Sequence, residues 1–393
     1  MVPKGWSSSQ LGEIMSFKNG LNFTKTDNGD SVKIVGVGDF KDLSELSSTE
    51  HLELISVAGR IRDEELLNNG DLLFVRSNGN KDLIGRCMFF PEVRERLSFS
   101  GFTIRGRVIN ESTLPAYMAI VARSSQFQMQ ISKASGGTNI SNLSQQILND
   151  INLLLPPLIE QKKIAEILST WDKAISVTEK LLTNSQLQKK ALMQQLLTGK
   201  KRLLDENGVR FNGKWEKKLL SDVADVYQPK TISQSMMSDS GYPVYGANGV
   251  IGFYQEFNHE TEQIAVTCRG STCGIVNWTQ AKSWITGNAM VINTDNYSYV
   301  SKKFLFYTLN GSDLKYLISG SGQPQITGNI KTHIINLPCI EEQQKIATVL
   351  SAADAEIYTL EKKLACLRDE KKALMQQLLT GKRRVKVDEA VAE

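Results

Sequence analysis

KKALMQQLLTGK, from Lys189 to Lys200, occurs a second time, residue for residue, from Lys371 to Lys382. Chance does not produce an identical twelve-residue block in one chain, so the chain is a doubled unit. At the same offset of 182 residues the match continues upstream without a gap. Pro156, Glu160, Gln161, Ile164, Leu168 and Asp172 match Pro338, Glu342, Gln343, Ile346, Leu350 and Asp354. The repeated element runs from Pro156 to Arg202 and again from Pro338 to Arg384. A weaker echo opens each half, where Trp6, Leu11 and Ile14 match Trp215, Leu220 and Val223 at an offset of 209.

Apolar residues in the repeated element alternate in steps of four and three, the seam of a coiled coil. The first copy places Ile164, Leu168, Trp171, Ile175 and Leu182 on that seam, with weaker Thr178 and Ser185. The second places Ile346, Leu350, Ile357, Leu360, Leu364 and Leu367 there. Both copies put a lysine on it, Lys189 and Lys371, which weakens packing but can fix register or face a partner. Prolines precede each helix, acidic residues (Glu160; Glu341 and Glu342) fall in the first turn, and Gly199 and Gly381 stand at the C-terminal cap. Roughly 40 residues at ~1.5 Å rise make a rod of about 60 Å. Such a rod is not stable alone, and its duplicate is the economical partner. A two-fold relation between the halves lays the two helices antiparallel. A bare dimerisation stalk would not need identical off-seam residues such as Gln194, Gln195 and Thr198.

The chain has 393 residues, 41% of them hydrophobic and 22% charged, with a formal net charge of +4. This is ordinary for a globular protein of several domains. No apolar run reaches the ~20 residues of a membrane span, and the first residues lack a secretory apolar core. Five cysteines, with only Cys268 and Cys273 close together, do not form a disulfide framework. A reducing cytoplasmic compartment is expected. The mild positive charge neither requires nor excludes nucleic acid.

Between the repeats the sequence is mixed α and β. Strands are expected at Lys33–Val37, Leu72–Val75, Cys87–Phe90 and Phe102–Arg105, with turns at Asn28-Gly29, Asn69-Gly70 and Asn78-Gly79. A helix over Pro115–Lys133, a glycine–serine loop at Ser135–Thr138 and a strand at Ile151–Leu155 follow. The second half repeats the order: strands at Ile264–Thr267, Ile275–Trp278 and Met290–Asn293, a helix from Lys302 to Asn310 with room to reach Ile318, a loop at Gly320–Gln323 and a strand at Ile334–Leu337. The fold expected is α+β, two globular domains (1–155 and 203–337) separated by two long antiparallel coiled-coil helices (156–202 and 338–384), with a tail at 385–393.

Catalytic patterns are absent. His51, His259 and His333 have no neighbours at metal-ligand spacing, and Cys268 and Cys273 lack a second pair. Gly36-Val37-Gly38 lacks the third glycine of a dinucleotide fingerprint, and Gly199-Lys200 has Gln194 where a phosphate loop needs glycine. No Asn-Pro-Pro-aromatic motif of an amino-methyltransferase occurs. The chemistry that remains is recognition. Arg76, Ser77, Asn78, Asn80 and Lys81 follow one strand, with Arg86 close behind; Arg269, Ser271 and Thr272 follow the matching strand in the second half. Arginine can bridge guanine O6 and N7, asparagine adenine N6 and N7, and serine, threonine and lysine reach phosphates. Two related readers at a fixed separation suit a double-stranded nucleic acid. A non-DNA scaffold whose two domains bind protein ligands on a stalk remains the alternative.

The chain resembles the specificity subunits of type I restriction–modification systems. The resemblance rests on the doubled order of recognition domain and long helix, on PPLIEQKKIA (Pro156–Ala165) and PCIEEQQKIA (Pro338–Ala347), and on the doubled LMQQLLTGK helix end. NNGDLLFVR (Asn68–Arg76), YPVYGANGVIGFY (Tyr242–Tyr254) and TCRGSTCGIVNW (Thr267–Trp278) carry it in the domains. It implies two target-recognition domains, each reading one half of a bipartite, asymmetric DNA sequence, with the helices setting the spacer. It implies a non-catalytic chain without its own cofactor, docking two methyltransferase subunits that carry S-adenosylmethionine and methylate adenine. Two motor-nuclease subunits using ATP and magnesium would join them.

Overall fold

Prolines end a strand and open a helix at both copies of the repeat, and two long helices result: α5 (Leu158–Leu196) and α8 (Ile340–Leu379). The computed structural model describes residues 2–22, 25–40, 44–46, 48–134, 142–320 and 324–387, with backbone alone at 25–28. The loop expected at Ser135–Thr138, most of that at Gly320–Gln323, and tail residues 388–393 lie outside these. The chain forms two compact units, one of residues 1–177 with 364–393, the other of residues 178–363. Each long helix therefore contributes to both.

In the first unit, β1 (Ser7–Gln10) pairs antiparallel with β9 (Asn152–Leu155), and a short α1 (Leu11–Ile14) follows β1. A four-stranded antiparallel sheet runs in the order β2 (Met15–Asn19), β8 (Thr103–Val108), β5 (Asp71–Val75), β6 (Cys87–Phe90). A smaller sheet sets β3 (Lys25–Val35) antiparallel to β4 (Leu54–Val57) and parallel to β7 (Leu97–Phe99). Residues 28 and 29, expected as a turn, lie inside β3, where the register against β4 slips between Lys25 and Asp30. The helix expected over Pro115–Lys133 is two, α2 (Pro115–Ala122) and α3 (Ser125–Ala134). The break falls at Arg123-Ser124: the Arg123 side chain donates back to the Ala119 carbonyl at 3.0 Å, and the Ser124 hydroxyl accepts the Phe127 amide at 3.2 Å. That side-chain acceptor gives α3 its own start. α4 (Gln145–Asn149) precedes β9.

The second unit repeats the plan. β10 (Glu216–Leu219) pairs with β18 (Ile334–Leu337), and α6 (Leu220–Val223) follows β10. The four-stranded sheet is ordered β11 (Asp225–Tyr227), β17 (Ala289–Asn293), β14 (Ile264–Thr267), β15 (Val276–Trp278). In the smaller sheet β12 (Tyr242–Tyr245) is antiparallel to β13 (Val250–Tyr254) and parallel to β16 (Trp284–Ile285). Strand order and direction match the first unit in both sheets. α7 (Lys302–Asn310) ends at Gly311 rather than reaching Ile318; a single 3₁₀ turn at Lys315–Leu317 follows.

The long helices are part of both cores. In the first unit Ile164 and Leu168 of α5 and Leu378 and Leu379 of α8 pack with Leu72, Phe74, Ile104 and Tyr117. In the second, Leu196 of α5 and Ile346 and Leu350 of α8 pack with Ile264, Val266, Phe304 and Tyr307. The rest of the seam is thinner: Trp171, Ile175 and Leu367 in one unit, and Leu182, Ile357 and Leu360 in the other, are half-buried, while Leu364 is buried.

Both seam lysines find carboxylates. Lys371 bonds Asp172 at 2.5 Å in the first unit, and Lys189 bonds Asp354 in the second. Asp172 and Asp354 are themselves equivalent residues of the repeat, so one ion pair is made twice. In both units these contacts set α5 and α8 antiparallel. The repeated Glu-Gln pair is equally structural. Gln161 accepts the Leu114 amide and donates to the Ser112 and Pro156 carbonyls, all at 2.8 Å. Gln343 does the same with the Ser301 amide and the Tyr299 and Pro338 carbonyls. Glu342 accepts both Arg202 Nε (2.5 Å) and Nη2 (2.6 Å), and the Trp215 indole at 3.1 Å. Glu160 accepts Arg384 Nε at 3.0 Å and the Trp6 indole at 3.3 Å. Gly199 (φ 69°) and Gly381 (φ 66°) take the left-handed conformation that turns the chain from helix end to arginine.

Removing the cation strands a buried carboxylate. Arg202→Ala should destabilise the second unit by about 3–5 kcal/mol in denaturant unfolding. Arg384 is 41% exposed at its side chain against 19% for Arg202, so Arg384→Ala should cost the first unit clearly less. Equal losses would count against burial as the deciding term.

Candidate nucleic-acid interface

The end of β5 in one unit, and of β14 in the other, delivers an arginine to a loop at the same place in the sheet order. In the first loop the main chain is pinned: the Arg76 amide donates to Phe102 O at 2.8 Å, and Arg76 O accepts from the Leu143 amide at 2.8 Å. The Arg76 side chain is half-buried and leans on Gly101 O at 3.4 Å. Asn78 Oδ1 accepts the Asn80 amide at 2.8 Å, and Asn80 Oδ1 accepts the Asp82 amide at 3.1 Å, capping a 3₁₀ turn at Lys81–Leu83. Each of these asparagines thus spends its side-chain oxygen on holding the loop. Ser77 is half-buried beside them, and Lys81 and Arg86 are exposed. The Arg86 carbonyl closes the loop by accepting the Val75 amide at 2.9 Å.

In the second loop Arg269 and Ser271 are exposed and Thr272 is half-buried. Gly270 (φ 85°) and Gly274 (φ 93°) supply its two left-handed turns. Residue contacts far apart in sequence shape its surroundings. Gln228 donates to Cys268 Sγ at 3.1 Å and to Gly287 O at 3.2 Å. The Thr267 hydroxyl donates to Ala247 O, which holds the tip of the β12–β13 hairpin, with exposed Asn248, against the strand that leads into the Arg269 loop. No local pattern in the sequence announces that contact between Thr267 and Ala247.

The first unit has a further cavity that sequence reasoning missed. It measures about 570 Å³ and lies between the loop residues Ser77, Asn78 and Gly79 and a wall carrying Asp39, His51 and Glu53. A second kind of groove lies at the helix ends. One, of about 890 Å³, is lined by Lys189, Lys190, Met193, Gln194 and Leu197. The other, of about 370 Å³, is lined by Lys371, Lys372, Met375, Gln376 and Leu379. The two sets correspond one to one through the repeat. Lys190, Gln194 and Gln195, with Lys372, Gln376 and Gln377, are exposed in both copies.

Among the described residues no group of three or more His, Cys, Asp or Glu could hold a metal ion, and no helix is long and apolar enough to cross a membrane. All five cysteines are free thiols, and burial pushes the Cys87 thiol up to about 12. Lys303 lies 3.7 Å from the centre of the Trp278 ring, and burial lowers its pKa.

With this geometry in place, the comparisons with known proteins are specific. Residues 3–185 and 212–366 each match the family model for the type I restriction modification DNA specificity domain. The chain belongs to that family and carries two copies of the domain. It is 27% identical to a putative type I restriction enzyme MjaX specificity subunit of Methanocaldococcus jannaschii, over 98% of this chain and 95% of that one. It is 24% identical to the MjaVIII specificity subunit of the same organism, over 98% and 94%. The fold matches a crystal structure of the S subunit of a type I system from M. genitalium at a TM-score of 0.63, with 14% identity and 96% of each chain covered.

His259 and His333 are buried in the second unit, and burial lowers both pKa values. Burial favours the neutral ring in each, with His259 3.0 Å from the Tyr227 hydroxyl and His333 2.7 Å from the Tyr316 hydroxyl. A histidine whose folded pKa lies below its unfolded value costs stability as pH falls through the unfolded value, about 6.5. The second unit should therefore lose melting temperature between about pH 7 and pH 5, and a His259→Gln/His333→Gln variant should lose less. A midpoint equally pH-dependent in that variant would refute the assignment.

Proposed function

We propose that this chain is the DNA-reading subunit of a type I restriction–modification complex, in which each domain reads one half of a bipartite, asymmetric target. The observation that carries the reading is the matched strand order of the two units, which delivers Arg76 and Arg269 to equivalent loops. Diverged loops on a retained scaffold suit two different half-sequences. In this reading Arg76 and Arg269 meet base edges, Asn78 and Asn80 offer amide donors, and Ser77, Lys81, Arg86, Ser271 and Thr272 serve bases or backbone. α5 and α8 set the distance between the halves.

The helix-end grooves are the proposed docking faces for two methyltransferase subunits. Support comes from the five repeat-equivalent residues in their linings and from exposed residues that are identical in both copies. The methyltransferase would bring S-adenosylmethionine and methylate adenine in each half-site. Two motor-nuclease subunits would bring ATP and magnesium. The chain itself supplies recognition and no catalytic group, in the cytoplasm where the host DNA lies.

With its methyltransferase partner, the chain should bind one sequence selectively, with affinity that falls steeply with salt. Equal affinity for all duplexes would overturn the reading. Arg76→Ala and Arg269→Ala should each relax one half-site only, by ~1–3 kcal/mol per lost bidentate contact. Loss spread over both halves would make them phosphate contacts. Deleting Ser176–Leu182 together with its equivalent Tyr358–Leu364 leaves both lysine–aspartate pairs in place. At ~1.5 Å per residue it removes about 10 Å of helix, so the preferred spacer should shorten by about three base pairs. An unchanged spacer, read by selection from duplexes of varied gap length, would exclude the helices as its determinant.

A further inference from the structure

The two halves treat the free edge of one strand differently. In each unit a two-stranded ribbon, β1–β9 or β10–β18, leads into a long helix. In an antiparallel ladder only every second residue bonds its partner strand. The Leu11 amide donates to Ile151 O, and the Leu220 amide to His333 O, both at 2.8 Å. The register therefore turns the main-chain N–H and C=O of Asn152 and Leu154, and of Ile334 and Asn336, away from the ribbon.

In the first unit that edge is taken. Gln130 of α3 accepts the Asn152 amide at 2.9 Å and donates to Asn152 O at 2.8 Å, as a neighbouring strand would. The Tyr117 hydroxyl reaches Leu154 O at 3.5 Å. In the second unit α7 is followed only by the 3₁₀ turn at Lys315–Leu317, and no helix takes the place of α3. Among the described residues nothing bonds the outward groups of Ile334 or Asn336. Both residues are exposed and line the groove of about 890 Å³ along α5. That groove also presents apolar Met193 and Leu197 and exposed Lys190 and Lys200, and its lining holds no carboxylate. An unpaired edge is a template for another chain. An added strand takes main-chain bonds and sorts its alternate side chains to two sides.

We infer that the second unit docks its partner by strand addition: an extended segment of the methyltransferase subunit, alternating apolar and acidic residues, pairs with β18 at Ile334 and Asn336. The inference rests on the docking face proposed above. The apolar side chains of that segment meet Met193 and Leu197, and its carboxylates meet Lys190 and Lys200. A second copy of this chain would bring its own Lys190 and Lys200 against these, so charge disfavours it as the occupant. The first unit, its edge already filled by Gln130, docks without a strand.

Hydrogen exchange, read amide by amide on the full chain, free and saturated with the methyltransferase, tests this. The Ile334 and Asn336 amides should exchange fast in the free chain and slow by on the order of ten-fold or more in the complex. The Asn152 amide, already bonded, should be slow in both and serves as the internal reference. Asn336→Pro removes an outward donor and leaves the bonds to β10 in place. It should weaken the complex about ten-fold more than Asn336→Ala, which removes only the side chain. Lys200→Gln should weaken the complex at low salt and less at high salt. A loss independent of salt would overturn the acidic character of the segment. A complex that forms while both amides still exchange fast would overturn the inference, whatever becomes of the proline variant. So would protection that grows with the concentration of this chain alone, which would make a second copy the occupant. Failure of the underlying reading looks different: the wild type forms no complex with the methyltransferase.

Discussion

A carboxylate buried at the first turn of each long helix governs this architecture. Glu342 and Glu160 sit at helix N-termini, where the backbone dipole favours negative charge, yet both are sealed from water and need a cation. In both units that cation comes from just beyond the far end of the other helix, Arg202 for Glu342 and Arg384 for Glu160. A tryptophan from the start of the domain closes each site. One charge requirement therefore fixes three things in each unit: the antiparallel direction of α5 and α8, the position of the chain that leaves the helix, and the strand that opens the domain. The lysine–aspartate pairs further along the seam repeat the same direction.

Much of this was legible in the sequence, for a physical reason. Helix period, capping residues and prolines are local signals, and an internal repeat marks which of them belong together. The doubled order of strands, helix and long helix followed from those signals alone. What stayed hidden depended on contacts between distant residues. Nothing local announces that Ser124 starts a new helix, because its hydroxyl matters only once Arg123 has turned back on Ala119. Nothing in Thr267 points to Ala247. The acidic cavity is assembled from residues around positions 39, 53, 78 and 102, four separate stretches that only the sheet order brings together.

The repeat also divides into two kinds of residue. Gln161, Gln343 and the two buried glutamates are committed inside the fold, so their recurrence is explained by packing. The exposed glutamines and lysines of the twelve-residue block are not. Lys190 and Gln194 line one groove, and their equivalents Lys372 and Gln376 line the other, which is the pattern expected of one partner met twice. The loops follow the opposite rule: same position in the sheet, different side chains.

The first unit is assembled from two stretches of chain, residues 1–177 and 364–393, whereas the second is one continuous stretch, 178–363. During synthesis the second unit can therefore complete its core before the first, although it is made later. Until α8 is finished, the nascent first unit holds Glu160 without Arg384 and exposes the apolar surface that Leu378 and Leu379 will cover. The usual order, in which the N-terminal domain folds first, is reversed by where the chain returns. The waiting half is the one that a ribosome-associated chaperone would have to hold.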